Sequence, residues 1–237
     1  SLLELANYVK ENRNQEKIGN LNWKEIINKD TDAKLPSSSF LAIILKFLSC
    51  ILFNTFFRVK VKGKEKIEMD KPTIYVANHQ SFLDGFLFNY AVPSKLVKKT
   101  YFLATVAHFK SSIMKSFANS ANVVLVDINK DIAEVMQILA KVLKENKNVA
   151  IYPEGLRTRD GKMNKFKKSF AILAKELNVD VQPYVISGAY ELFPTGKKFP
   201  KPGKISIEFL DKIKVEDLSY DEIVDKSYKA IEEKLTK

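Results

Sequence analysis

From residue 58 onward, short apolar runs of four to seven residues alternate with stretches of helical periodicity. Strands are expected over 73–77, 101–105, 122–126, 149–152, 181–186 and 204–210, and helices over 82–92, 112–119, 131–145, 167–177 and 219–236. Ahead of them, Arg58-Val-Lys-Val-Lys-Gly63 alternates like a half-buried strand. Apolar runs this short are buried on both sides, so the pattern predicts an α/β fold whose sheet carries helices on both faces.

A chain of 237 residues is long enough for one sizeable core. There is no internal repeat, no low-complexity tract and no clear second globular domain. The lone cysteine, Cys50, excludes an intrachain disulfide and suits a reducing compartment. His79 and His108 are the only histidines, which leaves no His/Cys cluster of metal-binding spacing and predicts no metal. A net charge of +11 favours an anionic membrane or phosphorylated substrates, or reflects a composition heavy in Lys and Asn. No run of five like charges and no aromatic–basic repeat occurs, so nucleic acid is not an expected partner.

Residues 1–36 read as a polar N-terminal segment. Its opening, Ser1-Leu-Leu-Glu-Leu-Ala-Asn-Tyr-Val9, resembles part of an amphipathic helix, and no basic n-region precedes an apolar h-region. After a break at Leu35-Pro36-Ser37-Ser38-Ser39, 14 of the 18 residues from Phe40 to Phe57 are apolar. At 100° per residue, Ser39, Ala42, Lys46, Ser49 and Cys50 fall on one side, with Leu41, Ile44, Leu45, Leu48 and Leu52 away from it. Lys46 near the centre and the short length disfavour a bilayer crossing. An interfacial helix over 37–57 is the expected reading, with a helix packed on the domain's own core as the alternative.

Two blocks carry chemistry. The first is Asn78-His-Gln-Ser-Phe-Leu-Asp84, directly after an apolar run. On one continuous helix, residues five apart diverge by about 140°. His79 and Asp84 can therefore meet only if His79 lies in a strand-to-helix turn and Asp84 in the first helical turn. Ser81 then serves as N-cap, with Asp84 at capping-box spacing. A histidine with a carboxylate on its far nitrogen suits a general base, and the same residues also describe a plain helix start. The second block is Tyr152-Pro-Glu-Gly-Leu-Arg-Thr-Arg159. Pro153-Glu154-Gly155 is turn chemistry at a strand end, where ligands bind in open α/β sheets. Arg157 and Arg159 can aim at one anion, and the alternative is a solvated charged loop.

Together the blocks resemble those of the glycerophospholipid acyltransferase superfamily, and most nearly the 1-acylglycerol-3-phosphate acyltransferases, over roughly residues 58–212. The resemblance implies a single mixed sheet flanked by helices, with an N-terminal amphipathic membrane-associating helix and an acyltransferase domain over 58–237. It implies that His79 is the general base and Asp84 orients it, with Asn78 and Ser81 in support. Glu154, Gly155 and Arg157 are implied in binding the acceptor phosphate, with Arg159 beside them. A third family block, a proline inside an apolar strand, is matched by Val181-Gln-Pro183-Tyr-Val-Ile186.

Four positions depart from the family pattern. Ile128 stands where an arginine usually follows Asp127, which leaves Lys130 as the nearest cation. Leu156 and Tyr152 replace Thr and Phe, and Ser169 stands where Gly is common.

The implied reaction is direct transfer of a fatty acyl group from acyl-CoA or acyl carrier protein to the hydroxyl of 1-acylglycerol 3-phosphate, with no cofactor. Phosphatidate is the product, and the expected place is the cytoplasmic face of a membrane, peripheral or monotopic. The expected partners are a membrane lipid acceptor, the thioester donor and an anionic membrane surface, toward which Lys162, Lys165, Lys167 and Lys168 add charge. Backbone N–H groups after Ser81 are candidates for the oxyanion site.

Other acceptors, a Ser81-based hydrolase without its Gly-x-Ser-x-Gly elbow, and a membrane-docking module are the rivals. His108 reads as a surface or satisfied histidine, and Trp23 as core or interface. The N-terminal residues faintly resemble the last helix of an acyl carrier domain, which would make 1–36 the remnant of a preceding domain in an acyl-activating fusion.

Overall fold

The computed structural model describes residues 21–37, 40–106, 109, 111–126 and 132–236, though not the side chains of Phe40, Leu41, Ala42 and Leu45. The expected helix at 1–9, His108 and Lys130 lie outside the described residues.

Seven strands form one sheet: β1 (Lys60–Lys62), β2 (Ile74–Ala77), β3 (Thr100–Thr105), β4 (Val123–Val126), β5 (Asn148–Ile151), β6 (Val181–Ser187) and β7 (Ser206–Phe209). Their order is β1-β7-β6-β2-β5-β3-β4. The sheet is mixed, because β7 runs antiparallel to β6 while the other adjacent pairs are parallel. The central strands β2 and β5 are buried along their whole length, as their unbroken apolar runs require. At one margin, β1 is edged by the exposed Lys60 and Lys62, a charged border that discourages further pairing.

Alternate side chains of β2 feed two cores. Ile74 and Val76 join one, and Tyr75 and Ala77 the other. The first core is covered by α1 (Trp23–Asn28), α6 (Ile132–Lys144), α7 (Ser169–Glu176) and α9 (Tyr220–Leu235). The second lies under α2 (Phe40–Thr55), α3 (Asp84–Ala91), α4 (Ser94–Lys99) and α8 (Ala189–Leu192), while α5 (Ser112–Ser120) packs beside β4.

Helices α1, α4 and α8 were not expected. They have four to six residues, too few for a periodic signal. α4 follows Pro93, which ends α3 and occupies the N-cap. Within the polar N-terminal segment, residues 21–36 pack on the domain. Trp23 and Ile27 are buried, and Lys141 and Lys144 of α6 donate to the carbonyls of Thr31, Ala33 and Ile27.

α2 is helical as expected, with its polar side inward. The ammonium of Lys46 donates to Val92 O, and Ser49 and Cys50 are half-buried. Ile44, Phe47, Leu48, Ile51, Leu52 and Phe56 are exposed. The helix is tied down at its end by the buried Phe53 and by Phe57 just beyond it. Among the described residues, no helix is long and apolar enough to cross a membrane.

Pro183 sits in the sheet interior, where a proline ordinarily breaks a ladder. Its carbonyl accepts from Leu210 N at 2.9 Å, but it has no N–H to return. The side-chain amide of Gln182 donates to Leu210 O instead and replaces the missing rung.

α9 begins with a complete capping box. Ser219 Oγ accepts from Glu222 N, and the Glu222 carboxylate accepts from Ser219 N at 2.8 Å. Ser219→Ala is expected to cost about 1 kcal/mol, which a thermal melt would register as a fall of roughly 2–4 °C.

Candidate active site

Because β2 and β5 are parallel neighbours, the turns that follow them leave the same edge of the sheet. The first block follows β2 and the second follows β5, so two segments seventy-five residues apart become adjacent. Both backbone groups of His79 are held by the second block. Its N–H donates to Glu154 Oε1 at 2.6 Å, and its carbonyl accepts from Thr158 N at 2.9 Å. The other Glu154 oxygen accepts from the backbone and side-chain amides of Asn164, at 2.8 and 2.9 Å. Glu154 is thus a buried brace between the blocks. Burial pushes its carboxyl above the usual range, opposed by these donors.

His79 Nδ1 lies 2.8 Å from Asp84 Oδ2. Asp84 is fully buried, and the same oxygen accepts from Gln80 N at 2.7 Å and Ser81 N at 2.9 Å. Burial pushes the Asp84 carboxyl up, while His79 and the two amides pull the other way. With the carboxylate ionised, Nδ1 carries the proton and Nε2 is left as the acceptor. The ring stacks on Tyr152, with centroids 4.3 Å apart and planes within 13°. The side chain is 22% exposed, and it lines a cavity. Asp84 and Tyr152 together fix the orientation of the ring at the cavity.

The helix start differs from the expected one. α3 begins at Asp84, and its N-cap position is Leu83 rather than Ser81. Only half of the capping box forms, from Ser81 N to Asp84 Oδ2. Ser81 Oγ donates to Phe193 O at 2.9 Å and accepts from Leu83 N at 3.3 Å. That engagement ties the turn to the end of α8 and leaves the hydroxyl without a bond to His79, which weakens the hydrolase rival. Of the N–H groups after Ser81, those of Leu83 and Asp84 are engaged, and that of Phe82 has no partner among the described residues. Asn78 extends β2 as a surrogate backbone unit, its side chain pairing both ways with Ile186 at 2.9 and 2.8 Å.

The cavity beside His79 has a volume of about 630 Å³. Around its mouth stand Phe82, Gly155, Leu156, Arg157, Arg159 and Thr195, with Leu156 and Phe82 exposed. Arg157 lies 6.0 Å over the Phe82 ring, and neither arginine has an acidic partner among the described residues. Gly155 adopts φ +78°, and a Cβ there would come within 3.0 Å of the Lys167 side chain, so the turn needs glycine. Farther in, Phe86, Phe102, Leu103, Phe117 and Val123 make the walls apolar. Lys46, Ser49 and Asn89 also line the cavity. Burial lowers the Lys46 ammonium below the usual lysine range.

His79, Gly155, Arg157 and Arg159 therefore meet on one cavity. Ser81 also lines it, while Asp84, Asn78 and Glu154 build the turn behind it, and Pro183 lies in the sheet. Of the lysines expected to add charge, Lys168 pairs with Asp221 at 2.6 Å. Sequence reasoning missed Thr158 and Asn164, which clamp the two blocks, and the stacking of Tyr152. The only sequence signal for Tyr152 is its place as the first residue of the second block.

The chain is 33% identical over 163 residues to a 1-acyl-sn-glycerol-3-phosphate acyltransferase of Chlamydomonas reinhardtii, covering 67% of this chain and 48% of the relative. It is 28% identical over 158 residues to the chloroplastic 1-acyl-sn-glycerol-3-phosphate acyltransferase LPAT1 of Arabidopsis thaliana, covering 65% and 43%. The chain thus spans about half the length of these curated relatives. The crystal structure of the 1-acyl-sn-glycerophosphate acyltransferase PlsC from Thermotoga maritima superposes with a TM-score of 0.68 at 26% identity, covering 81% of this chain and 79% of that one. The family model described as Acyltransferase matches residues 58–187, more than half of the chain and both blocks, and the chain belongs to that family.

Proposed function

We propose that this chain transfers a fatty acyl group from an acyl thioester, of CoA or acyl carrier protein, to the free hydroxyl of 1-acylglycerol 3-phosphate. The observation that carries the reading is the His79–Asp84 pair opening onto an apolar cavity whose mouth holds two arginines without acidic partners. His79 Nε2 takes the proton of the acceptor hydroxyl as its oxygen bonds to the thioester carbonyl carbon. Asp84 stabilises the imidazolium that forms. The tetrahedral intermediate collapses with cleavage of the C–S bond, and the thiolate leaves with the proton that His79 carries. The acyl chain lies along the apolar walls, and Arg157 and Arg159 hold the acceptor phosphate with guanidinium forks suited to its oxygens. The names of the relatives support the acceptor. The exposed apolar side of α2 supports peripheral attachment at a membrane surface.

Mass-spectrometric identification of the product tests the acceptor. With lysophosphatidate and an acyl thioester the product is phosphatidate, whereas glycerol 3-phosphate alone gives little. The reverse preference would move the reading to the smaller acceptor. Arg157→Ala is expected to raise the acceptor KM roughly 10–100-fold, the worth of a lost bond to a charged group, with little change in turnover. Initial rates against acceptor concentration check it, and Arg157→Lys should recover only part because it lacks the fork.

A further inference from the structure

Residues 193–204 connect the active-site turn to the exposed helix α2, and the transfer chemistry leaves them unassigned. At one end Phe193 O accepts from Ser81 Oγ, and Thr195 lines the cavity mouth. At the other, Gly203 N donates to Phe56 O at 3.3 Å and Ile205 N to Phe57 O at 3.2 Å. The segment contains Lys197, Lys198, Lys201 and Lys204 and no acidic residue. All four lysines are exposed, and none has an acidic partner among the described residues. Between them Phe199 is 81% exposed.

The backbone is braced. Lys201 N donates to Leu192 O at 2.8 Å, and a Cβ at Gly203 would come within 2.4 Å of the Leu192 side chain. Pro194, Pro200 and Pro202 restrict it further. One exposed phenylalanine is unremarkable by itself. Here it stands in a field of four uncompensated positive charges, on a segment bonded to the end of a helix whose outer side is apolar. Anionic lipid headgroups over an acyl layer complement both features at once. Single-stranded nucleic acid would use the lysines and the ring, but it has no use for the adjoining apolar helix.

We infer that residues 193–204 form a second membrane contact, specific for anionic lipid. Phe199 enters the acyl boundary, and Lys197, Lys198, Lys201 and Lys204 meet the lipid phosphates. The inference rests on the membrane-lipid acceptor reading above. It adds that the contact beside the cavity mouth holds that mouth against the surface supplying the acceptor.

The test is co-sedimentation of the whole chain with phosphatidylcholine vesicles, with and without phosphatidylglycerol, in the absence of substrate. Turnover in detergent micelles is measured separately. The wild type should prefer the anionic vesicles, less so at high salt. Each lysine near an anionic surface contributes a factor of about five, so the fourfold Lys→Gln variant should lose tenfold or more in partition. Phe199→Ser should weaken binding to both vesicle types. The pair Lys226→Gln/Lys229→Gln, on α9 across the sheet, should bind like the wild type, and all variants should turn over normally in detergent. Equal vesicle binding by the loop variants and the wild type would overturn the inference. So would intact vesicle binding with a raised KM for the thioester donor, which would give the loop to the donor instead. Wild-type binding that follows the loop, with no transfer in detergent, would sink the acyltransferase reading and leave the contact standing.

Discussion

Replacing His79 with alanine is expected to lower acyl transfer by roughly 10²–10⁴-fold, the usual contribution of a positioned general base. His79 lines the cavity and its Nδ1 is held by Asp84, so Nε2 is the ring nitrogen left to take the proton. Alanine also removes a hydrogen bond to a buried carboxylate, which costs about 1.5–3 kcal/mol of stability. His79→Gln separates the two effects. Its amide can still donate to Asp84 but cannot serve as a base, so folding should hold while turnover falls as far as in the alanine variant. Turnover and a thermal melt on both variants check this. A glutamine variant with near-normal turnover would remove His79 from the chemistry.

Asp84→Asn should be nearly as damaging to turnover, by up to about 10⁴-fold if the carboxylate acts as it does in hydrolytic triads. Asparagine can place its carbonyl oxygen where Oδ2 sits and accept from Gln80 N, Ser81 N and His79 Nδ1. It carries no charge to balance the imidazolium. Stability should move the other way. Burial raises the Asp84 carboxyl, so the folded protein binds its proton more tightly than the unfolded chain does. The contribution of such a group is greatest at low pH and is lost as pH rises through the raised value. At neutral pH the variant is therefore expected to melt no lower than the wild type, and the wild type should gain on it as the solution is acidified. Transfer needs the ionised carboxylate, so the acid limb of the wild-type rate profile should lie above the ordinary carboxylate range. Melts across pH and a pH–rate profile test the two signs independently.

What the sequence revealed and what it concealed divide along physical lines. The seven strands were legible because each is an apolar or alternating run, and burial on a sheet demands that pattern. The spacing of His79 and Asp84 set the condition for their contact, a turn between them, but also suited a plain helix start, and the second block tipped the reading. The role of Glu154 was not. Its partners are His79 N and the amides of Asn164, and no local pattern announces a bond across seventy-five residues. Ser81 was misplaced for a similar reason. The spacing to Asp84 suits a cap, but the hydroxyl finds Phe193 O, more than a hundred residues away. On α2 the two-sided pattern was plain, while its direction was decided by tertiary packing. Lys46 turns inward to Val92 O, which leaves the apolar side exposed. The bond from the Gln182 amide to Leu210 O, beside Pro183, likewise appears only when β6 and β7 lie side by side.

Activation of an acceptor hydroxyl by His79, against a thioester, is the step we propose. It is tested most directly by thiol release from acyl-CoA, and separately from acyl carrier protein, with and without lysophosphatidate in detergent. Release is expected to depend on the acceptor with at least one donor and to disappear in His79→Gln. Release that proceeds equally without acceptor and requires Ser81 would contradict it and establish a hydrolase.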